Sequence, residues 1–304
     1  MLGPKTRFVL GPTIDTVSAR VAHRGEHNEH VIEIVYQYDP DNPPDHARPA
    51  TADEAVFTLQ RGNRAFADLA REGAQRYVIP VSAAEIGIGV NAQTPIAAVL
   101  GCADARVPVE LVFSMPANDM FVVRVAGNVL EGACVGSLDY AINHLPTVRT
   151  LAVVGHMSCG AVKAAVDAYL DPRAYLGLSA NLPLRAVVDA LMAAVRGADS
   201  ALRERYGHAR GEQPGYYEAL LDTTVVLNAA VAADAVRRMF AEYLGEKLKV
   251  VFGVYDLGSR LVGVPHTQLA WRQGLFEPPT KSEMVGFIDE IVRSLRVQDT
   301  LAGY

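Results

Sequence analysis

Two short aliphatic runs, each closed by a glycine, constrain the fold of this chain more than any other feature. They span residues 96–101 and 150–155 and have the composition of strands that are buried on both faces. Similar runs at 120–125 and 248–255 are separated from them by segments with helical spacing of apolar residues. This alternation indicates an α/β fold with a mostly parallel central sheet flanked by helices. The apolar run at 258–264 is expected to form an additional edge strand.

Three potential metal ligands directly follow the first two runs. Cys102 comes after the first run, and His156 and Cys159 come after the second. The carboxyl ends of parallel strands meet along one edge of an open sheet, which is where ligands bind, so we expect the three side chains to lie together. Two thiolates and one imidazole with the fourth position open form the pattern of a catalytic zinc site rather than a structural one. The sequence therefore predicts an enzyme with Zn²⁺ bound by these residues.

A charged pair stands close to the first cysteine. Asp104 and Arg106 follow Cys102 at short spacing. A guanidinium group can hold a carboxylate by two parallel hydrogen bonds and keep it ionised. An aspartate fixed in this way could accept a hydrogen bond from water activated at the metal, or it could turn onto the metal and close the fourth position. An ordinary exposed ion pair is the remaining alternative.

Charge and cysteine content exclude several classes of protein. The net charge of −6 and the pI near 5.8 give no electrostatic footprint for nucleic acid or an anionic membrane. We propose no transmembrane helix, since every window of about 18 residues that is rich in apolar side chains also contains charge. We see no signal peptide in residues 1–10. The three cysteines, of which Cys134 lacks a chemical partner in the sequence, are too few for a disulfide framework. We therefore expect a cytoplasmic protein without nucleic-acid or membrane partners.

Residues 1–50 differ in character from the rest of the chain and are interpreted as an N-terminal extension of uncertain structure. They contain a strand candidate at 31–38, followed by a proline-rich linker. Residues 51–304 are predicted to form a single zinc-binding α/β catalytic domain that includes helical arms. Its first helix should begin after Thr51, because Glu54 stands at the capping-box position.

At these residues the sequence resembles the β-class carbonic anhydrases, over about residues 55–265. The matching motifs are Gln93-Thr94-Pro95, Gly101-Cys102-Ala103-Asp104-Ala105-Arg106-Val107-Pro108, Phe121-Val122-Val123-Arg124, Ala126-Gly127-Asn128 and Gly155-His156-Met157-Ser158-Cys159-Gly160. The resemblance implies reversible hydration of carbon dioxide to bicarbonate at Zn²⁺. It also implies that Asp104 and Arg106 form the catalytic dyad.

The resemblance implies roles for three further residues. Gln93 aligns with the family's glutamine that hydrogen-bonds the substrate, Phe121 with an apolar pocket residue, and Gly160 with a backbone donor near the open metal position. Family members are homodimers or higher multiples of dimers, in which a partner chain completes each active-site cleft. The chain departs from the family at Val99, where members inhibited by bicarbonate usually carry tryptophan, and at Val125, which is commonly asparagine.

Two other functions fit the same residues. A hydrolase of carbonyl sulfide or carbon disulfide would use the same metal site with a differently lined pocket, because these substrates are isoelectronic with carbon dioxide and longer. A zinc-binding scaffold protein of a larger assembly would instead use residues 1–50 to dock a partner. The sequence alone distinguishes neither these functions nor the size of the oligomer, and it does not identify the process that uses bicarbonate.

Overall fold

The structure is a computed structural model that describes residues 32–41, 48–69, 75–83, 85, 92–207 and 215–295. Within these ranges the strands are Ile32–Tyr38 (β1), Gln75–Val81 (β2), Ala97–Gly101 (β3), Met120–Arg124 (β4), Thr150–His156 (β5), Lys249–Tyr255 (β6), Val262–His266 (β7) and Ala270–Gln273 (β8). The α-helices are Ala52–Asp68 (α1), Val109–Val112 (α2), Gly132–His144 (α3), Gly160–Leu170 (α4), Pro172–Gly177 (α5), Leu182–Tyr206 (α6), Tyr216–Met239 (α7) and Met284–Ser294 (α8). Short 3₁₀ turns lie at Ala126–Asn128 and Ala241–Tyr243.

Six strands form the central sheet in the order β4-β3-β5-β6-β7-β8. The first four run parallel to one another, whereas β7 and β8 continue the sheet in antiparallel pairing. The sheet is therefore mostly parallel and flanked by helices, which confirms the predicted fold class. Because β3 and β5 are neighbours, their carboxyl ends at Gly101 and His156 lie at the same edge of the sheet. This arrangement brings the two ligand-bearing motifs side by side.

The inner strands are buried on both faces, as their aliphatic composition predicts. All five residues of β3 and all seven of β5 are buried. The edge strands differ from them, since β4 is only half-buried and β8 is partly exposed. The centre of the sheet is therefore covered on both faces by other parts of the protein, while its two edges are partly exposed.

The first helix begins where the sequence predicts. The Thr51 side chain accepts a hydrogen bond from the backbone N–H of Glu54, and the Glu54 carboxylate accepts one from the backbone N–H of Thr51. This capping box satisfies backbone donors that the first turn leaves unpaired. Further along α1, a Cβ at Gly62 would lie only 1.8 Å from the carbonyl oxygen of Phe113. The helix thus packs directly on the backbone that follows α2.

The long helix α7 forms the centre of the helical layer. It packs against α6 on one side and against β5 and β6 on the other, and most of its side chains are buried. By length and composition α7 could cross a membrane, but 78% of its most apolar window is buried inside the protein. This burial is what a core helix shows.

Four elements differ from the sequence-based expectation. The edge strand expected at 258–264 is found as β7, which pairs antiparallel with β6. Strands β2 and β8 and the short helix α5 were not expected. β2 contains Pro80, and β8 is four residues long with alternately exposed side chains. Neither strand therefore has the uninterrupted aliphatic run that marks the inner strands.

The described part of the N-terminal extension contains the expected strand. β1 pairs in parallel with β2 over seven residues, from Ile32 opposite Gln75 to Tyr38 opposite Val81. The two strands form a separate sheet, with α1 between them in the sequence. The backbone of the extension is therefore hydrogen-bonded to a strand that lies after residue 51. Residues 1–31 lie outside the described residues.

Candidate metal centre

Cys102, His156 and Cys159 meet at the carboxyl edge of the central sheet. Their candidate ligand atoms lie within 4.8 Å of one another, and the two sulfur atoms are 3.9 Å apart. All three residues are buried, and His156 has no exposed surface. The structure thus brings together the three residues that the sequence predicts as metal ligands.

The backbone fixes the orientation of the His156 ring at the end of β5. Nδ1 lies 3.0 Å from the carbonyl oxygen of Met157, and since a carbonyl oxygen only accepts, Nδ1–H is the donor. In a neutral imidazole this leaves Nε2 unprotonated. Nε2 is buried and has no hydrogen-bond partner among the described residues. An unprotonated and unpaired buried nitrogen is ready to bind a cation.

A residue in the left-handed conformation connects His156 to Cys159. Ser158 has a φ of +58°, which turns the chain from β5 into α4. Cys159 is the N-cap of α4, and the nearby backbone N–H groups of Ala161 and Val162 act to lower the pKa of its thiol. Such N–H groups at a helix N-terminus stabilise a thiolate. The backbone of one strand–helix junction therefore builds this half of the site.

Cys102 lies in an extended loop after β3, which the segment after β4 holds in place. The backbone N–H of Gly127 donates to the Cys102 sulfur over 3.3 Å. Arg124 donates from Nε to the carbonyl oxygen of Cys102 over 2.9 Å and from Nη2 to the carbonyl oxygen of Asp104. The sequence shows Arg124 only as part of a motif, whereas the structure shows that it clamps the loop with the first ligand.

The two thiols compete for ionisation. A hydrogen bond from Cys159 is the main cause that lowers the pKa of Cys102 to about 4, with smaller contributions from His156 and from the backbone N–H groups of Asp104 and Gly127. The same contact and burial raise the pKa of Cys159 well above its usual range. Two adjacent buried sulfurs need a cation between them before both become thiolates. With the unpaired imidazole nitrogen, this donor set fits Zn²⁺.

Asp104 and Arg106 form a bidentate ion pair beside the cluster. Nε of Arg106 donates to Oδ1 over 3.0 Å, and Nη2 donates to Oδ2 over 2.7 Å. These hydrogen bonds hold the pKa of Asp104 well below its usual range. Nη2 of Arg106 also donates to the carbonyl oxygen of Ser158 over 3.2 Å, which bridges the two motifs. Oδ2 of Asp104 lies 3.8 Å from Nε2 of His156, so an ionised carboxylate is fixed next to the ligands.

The structure places one of the three expected pocket residues at the cluster. Gly160 follows Cys159 as the first residue of α4, and a Cβ there would meet no atom within 4 Å. Phe121 lies in β4 with its ring 6.2 Å from that of Tyr140 in α3. Gln93 is exposed. Among the described residues, no hydrogen bond or ring contact joins Gln93 or Phe121 to the three ligands, so their roles stay predictions.

Comparison with known proteins identifies one family. The family model described as carbonic anhydrase matches residues 97–261. Carbonic anhydrase 2 of Mycobacterium tuberculosis is 43% identical over 107 residues, which are 33% of this chain and 51% of that protein. The carbonic anhydrase of Mycolicibacterium smegmatis is 50% identical over 78 residues, which are 26% of this chain and 37% of that protein. The chain thus spans about half, or less, of the length of these curated relatives.

Solved structures of the same family are similar at a lower level. The β-carbonic anhydrase of Coccomyxa in complex with acetazolamide is 24% identical, and the match covers 68% of this chain and 84% of that chain with a TM-score of 0.44. A tetrameric β-carbonic anhydrase of the ascomycete Sordaria macrospora is 21% identical, and the match covers 56% of this chain and 80% of that chain with a TM-score of 0.40.

Proposed function

This chain belongs to the β-class carbonic anhydrase family, and on that premise we propose that it is a zinc enzyme that reversibly hydrates carbon dioxide to bicarbonate and a proton. The observation that carries the proposal is the cluster of Cys102, His156 and Cys159 with the ion pair of Asp104 and Arg106 beside it. All five residues lie within the part of the chain that the family model matches.

The donor set supports Zn²⁺ as the metal, with Cys102, His156 and Cys159 as its ligands. Bound Zn²⁺ lowers the pKa of a coordinated water from about 15.7 to about 7, and so supplies hydroxide at neutral pH. The chain orients its ligands in advance, because the carbonyl oxygen of Met157 fixes the tautomer of His156 and the backbone N–H of Gly127 donates to the sulfur of Cys102.

In this proposal Asp104 orients the attacking oxygen. Its Oδ2 lies 3.8 Å from Nε2 of His156. The carboxylate would therefore accept a hydrogen bond from a water molecule held at the open metal position. Arg106 keeps the carboxylate ionised and therefore an acceptor only. A lone pair of the water oxygen would then be free to face the carbon of carbon dioxide. The alternative, in which Asp104 turns onto the metal, requires both hydrogen bonds from the Arg106 side chain to break.

We further propose that the protein is a homodimer or a higher multiple of dimers. β4 is an edge strand of the central sheet, and Tyr140 beside it is 46% exposed although its ring lies near Phe121. A second copy of the chain would cover this edge and these aromatic rings.

We also propose a cytoplasmic location, which the free thiols of Cys102, Cys134 and Cys159 support.

The experiment that tests the proposal is stopped-flow hydration of carbon dioxide by purified protein whose zinc content is measured on the same sample. We expect one zinc per chain and turnover far above the uncatalysed rate. Full zinc occupancy without turnover would contradict the proposal. The same protein would then be assayed with carbonyl sulfide and carbon disulfide. If all three gases are left unchanged, the scaffold function is tested by deleting residues 1–31 and measuring oligomer size.

A further inference from the structure

A helix without a metal ligand supports the first thiolate of the cluster. Asn228 lies in α7 and is almost fully buried, and its Nδ2 donates to the carbonyl oxygen of Gly127 over 2.8 Å. The backbone N–H of Gly127 in turn donates to the sulfur of Cys102 over 3.3 Å. Two hydrogen bonds and one intervening residue therefore connect the Asn228 side chain to the sulfur.

The backbone conformation and packing at Gly127 favour glycine. Its φ is +67°, a conformation that glycine adopts readily and other residues rarely do. A Cβ at this position would lie 3.2 Å from Cβ of Ala161 and 3.2 Å from Cδ1 of Leu191, so the close packing of α4 and α6 favours glycine. Glycine gives the backbone more conformational freedom, and the hydrogen bond from Asn228 restricts that freedom at the residue that contacts the thiolate.

We propose that Asn228 is a positioning residue of the metal centre, which holds Gly127 so that its N–H points at Cys102 and thereby strengthens metal binding. The inference rests on the proposed function only in treating the cluster as a zinc site. An N–H group that donates to sulfur stabilises the thiolate relative to the thiol. Removing a group that orients a metal ligand typically weakens metal affinity about 10–100-fold.

A neighbouring residue on the same helix provides a matched control. Thr224 lies one turn before Asn228 and is also buried, but its hydroxyl donates to the carbonyl oxygen of Leu220 in its own helix. Thr224→Val therefore removes a buried side-chain hydrogen bond of α7 without touching Gly127. Asn228→Leu removes the donor to Gly127 and replaces it with an apolar side chain of similar size.

The test measures zinc retention rather than catalysis. Zinc-loaded wild type, Asn228→Leu and Thr224→Val are challenged with a chelator, and the rate of zinc release is recorded with the midpoint of thermal unfolding. Alkylation of Cys102 by iodoacetamide is followed by peptide mass spectrometry, with partly exposed Cys134 as the internal reference. We expect Asn228→Leu to release zinc about 10–100-fold faster than Thr224→Val, and Cys102 to be alkylated correspondingly sooner.

Equal zinc release by the two variants would overturn the proposal. If both release zinc as slowly as the wild type, Asn228 does not support the site, and if both release it equally fast, Asn228 acts only through helix stability. If Asn228→Leu does not fold, Asn228→Ser leaves a smaller side chain that is too short to reach Gly127 and takes its place in the same comparison. Failure of the proposed function would be distinguished by the wild type, which would retain zinc but not hydrate carbon dioxide.

Discussion

The two halves of the metal centre are held in different ways. The junction half, from His156 to Cys159, sits between β5 and α4, where the strand ladder, a left-handed residue and a helix N-terminus set its geometry. The loop half, from Cys102 to Arg106, follows β3 as an extended loop. It is held by Arg124 and by the N–H of Gly127.

This difference indicates which parts of the chain can disturb the site. The junction half depends on backbone geometry that any change preserving the fold leaves in place. The loop half depends on a few individual hydrogen bonds from distant residues. Arg106 connects the halves, because it binds Asp104 of the loop and the carbonyl oxygen of Ser158 in the junction. Substitutions outside the ligand set should therefore act mainly through the loop half.

The largest loss of zinc and of activity is expected at the sulfur ligands, of which each half supplies one. Cys102→Ser and Cys159→Ser should each lose zinc, and turnover should fall to the uncatalysed rate, because a serine hydroxyl is not ionised at neutral pH and binds zinc poorly. Zinc content by elemental analysis and stopped-flow hydration check both variants. Cys134→Ser is the control and should keep zinc and activity. Retained zinc and full turnover in either ligand variant would refute the ligand assignment.

Asp104→Ala should separate metal binding from turnover within the loop half. We expect the variant to keep its zinc, because Asp104 is not one of the three clustered ligands. Turnover should fall about 100-fold, since the carboxylate that orients the attacking oxygen is lost. Zinc content and kcat measured on the same sample test this expectation. An Asp104→Ala variant as active as the wild type would remove Asp104 from the mechanism.

Arg124→Leu should weaken the loop half alone. The substitution removes two hydrogen bonds to the carbonyl oxygens of Cys102 and Asp104, so we expect zinc affinity to fall about 10-fold. Competition with a chelator measures this change. Arg173→Leu is the control, because that side chain is 90% exposed and forms a surface ion pair with Asp171. If Arg124→Leu binds zinc as tightly as this control, the clamp has no functional effect.

The smallest effect on the metal site is expected at Asp222 in α7, which belongs to neither half. Burial is the main cause that raises the pKa of this carboxyl to about 6, and Glu218 and Asp256 raise it as well. The unfolded chain ionises it near pH 3.9. Between about pH 4 and 6 the folded state therefore retains a proton that the unfolded state has lost, so stability falls as pH rises across this range and levels off above it.

Asp222→Asn should remove this dependence. At pH 7.5 the variant should be more stable than the wild type by on the order of 1–2 kcal/mol, and at pH 5 the difference should be about half as large, because the unfolded carboxyl is already ionised there. Zinc affinity should not change, because Asp222 belongs to neither half. Chemical unfolding of the variant and the wild type at both pH values measures this difference. Effects of pH on zinc binding are common to the two proteins and therefore largely cancel. A variant that is less stable at pH 7.5 than at pH 5, relative to wild type, would contradict the assigned pKa.

The strand pattern and the ligand set could be predicted from the sequence because each has a local signal. Buried parallel strands are aliphatic runs, and their carboxyl ends meet wherever the strands are neighbours, so Cys102 and His156 could be expected at one edge. Strand β8 could not be predicted, because its four residues alternate in exposure and only its pairing with β7 makes it a strand. Strand β2 could not be predicted for a similar reason, since it is defined by its pairing with β1.

The supports of the loop half could not be predicted for a different reason. Arg124 and Asn228 donate to backbone carbonyl oxygens, and a carbonyl oxygen is the same whichever residue carries it. No pair of residue types therefore marks these contacts in the sequence. The pair of Asp104 and Arg106 was recognisable because both partners are charged side chains at short spacing. Side-chain contacts to the backbone are the part of a site that needs the structure.

The long separation between Cys102 and Asn228 also has a consequence for the order in which the site is completed. Asn228 lies roughly 130 residues after Cys102, and ribosomes add about 5–20 residues per second. The Cys102 thiol therefore leaves the ribosome on the order of 6–25 seconds before the helix that stabilises its surroundings exists. During that interval Gly127, His156 and Cys159 are themselves synthesised, but the carbonyl oxygen of Gly127 still lacks its hydrogen bond from Asn228. We therefore expect the metal centre to reach its final geometry only after α7 has been synthesised, although all three ligands are present earlier.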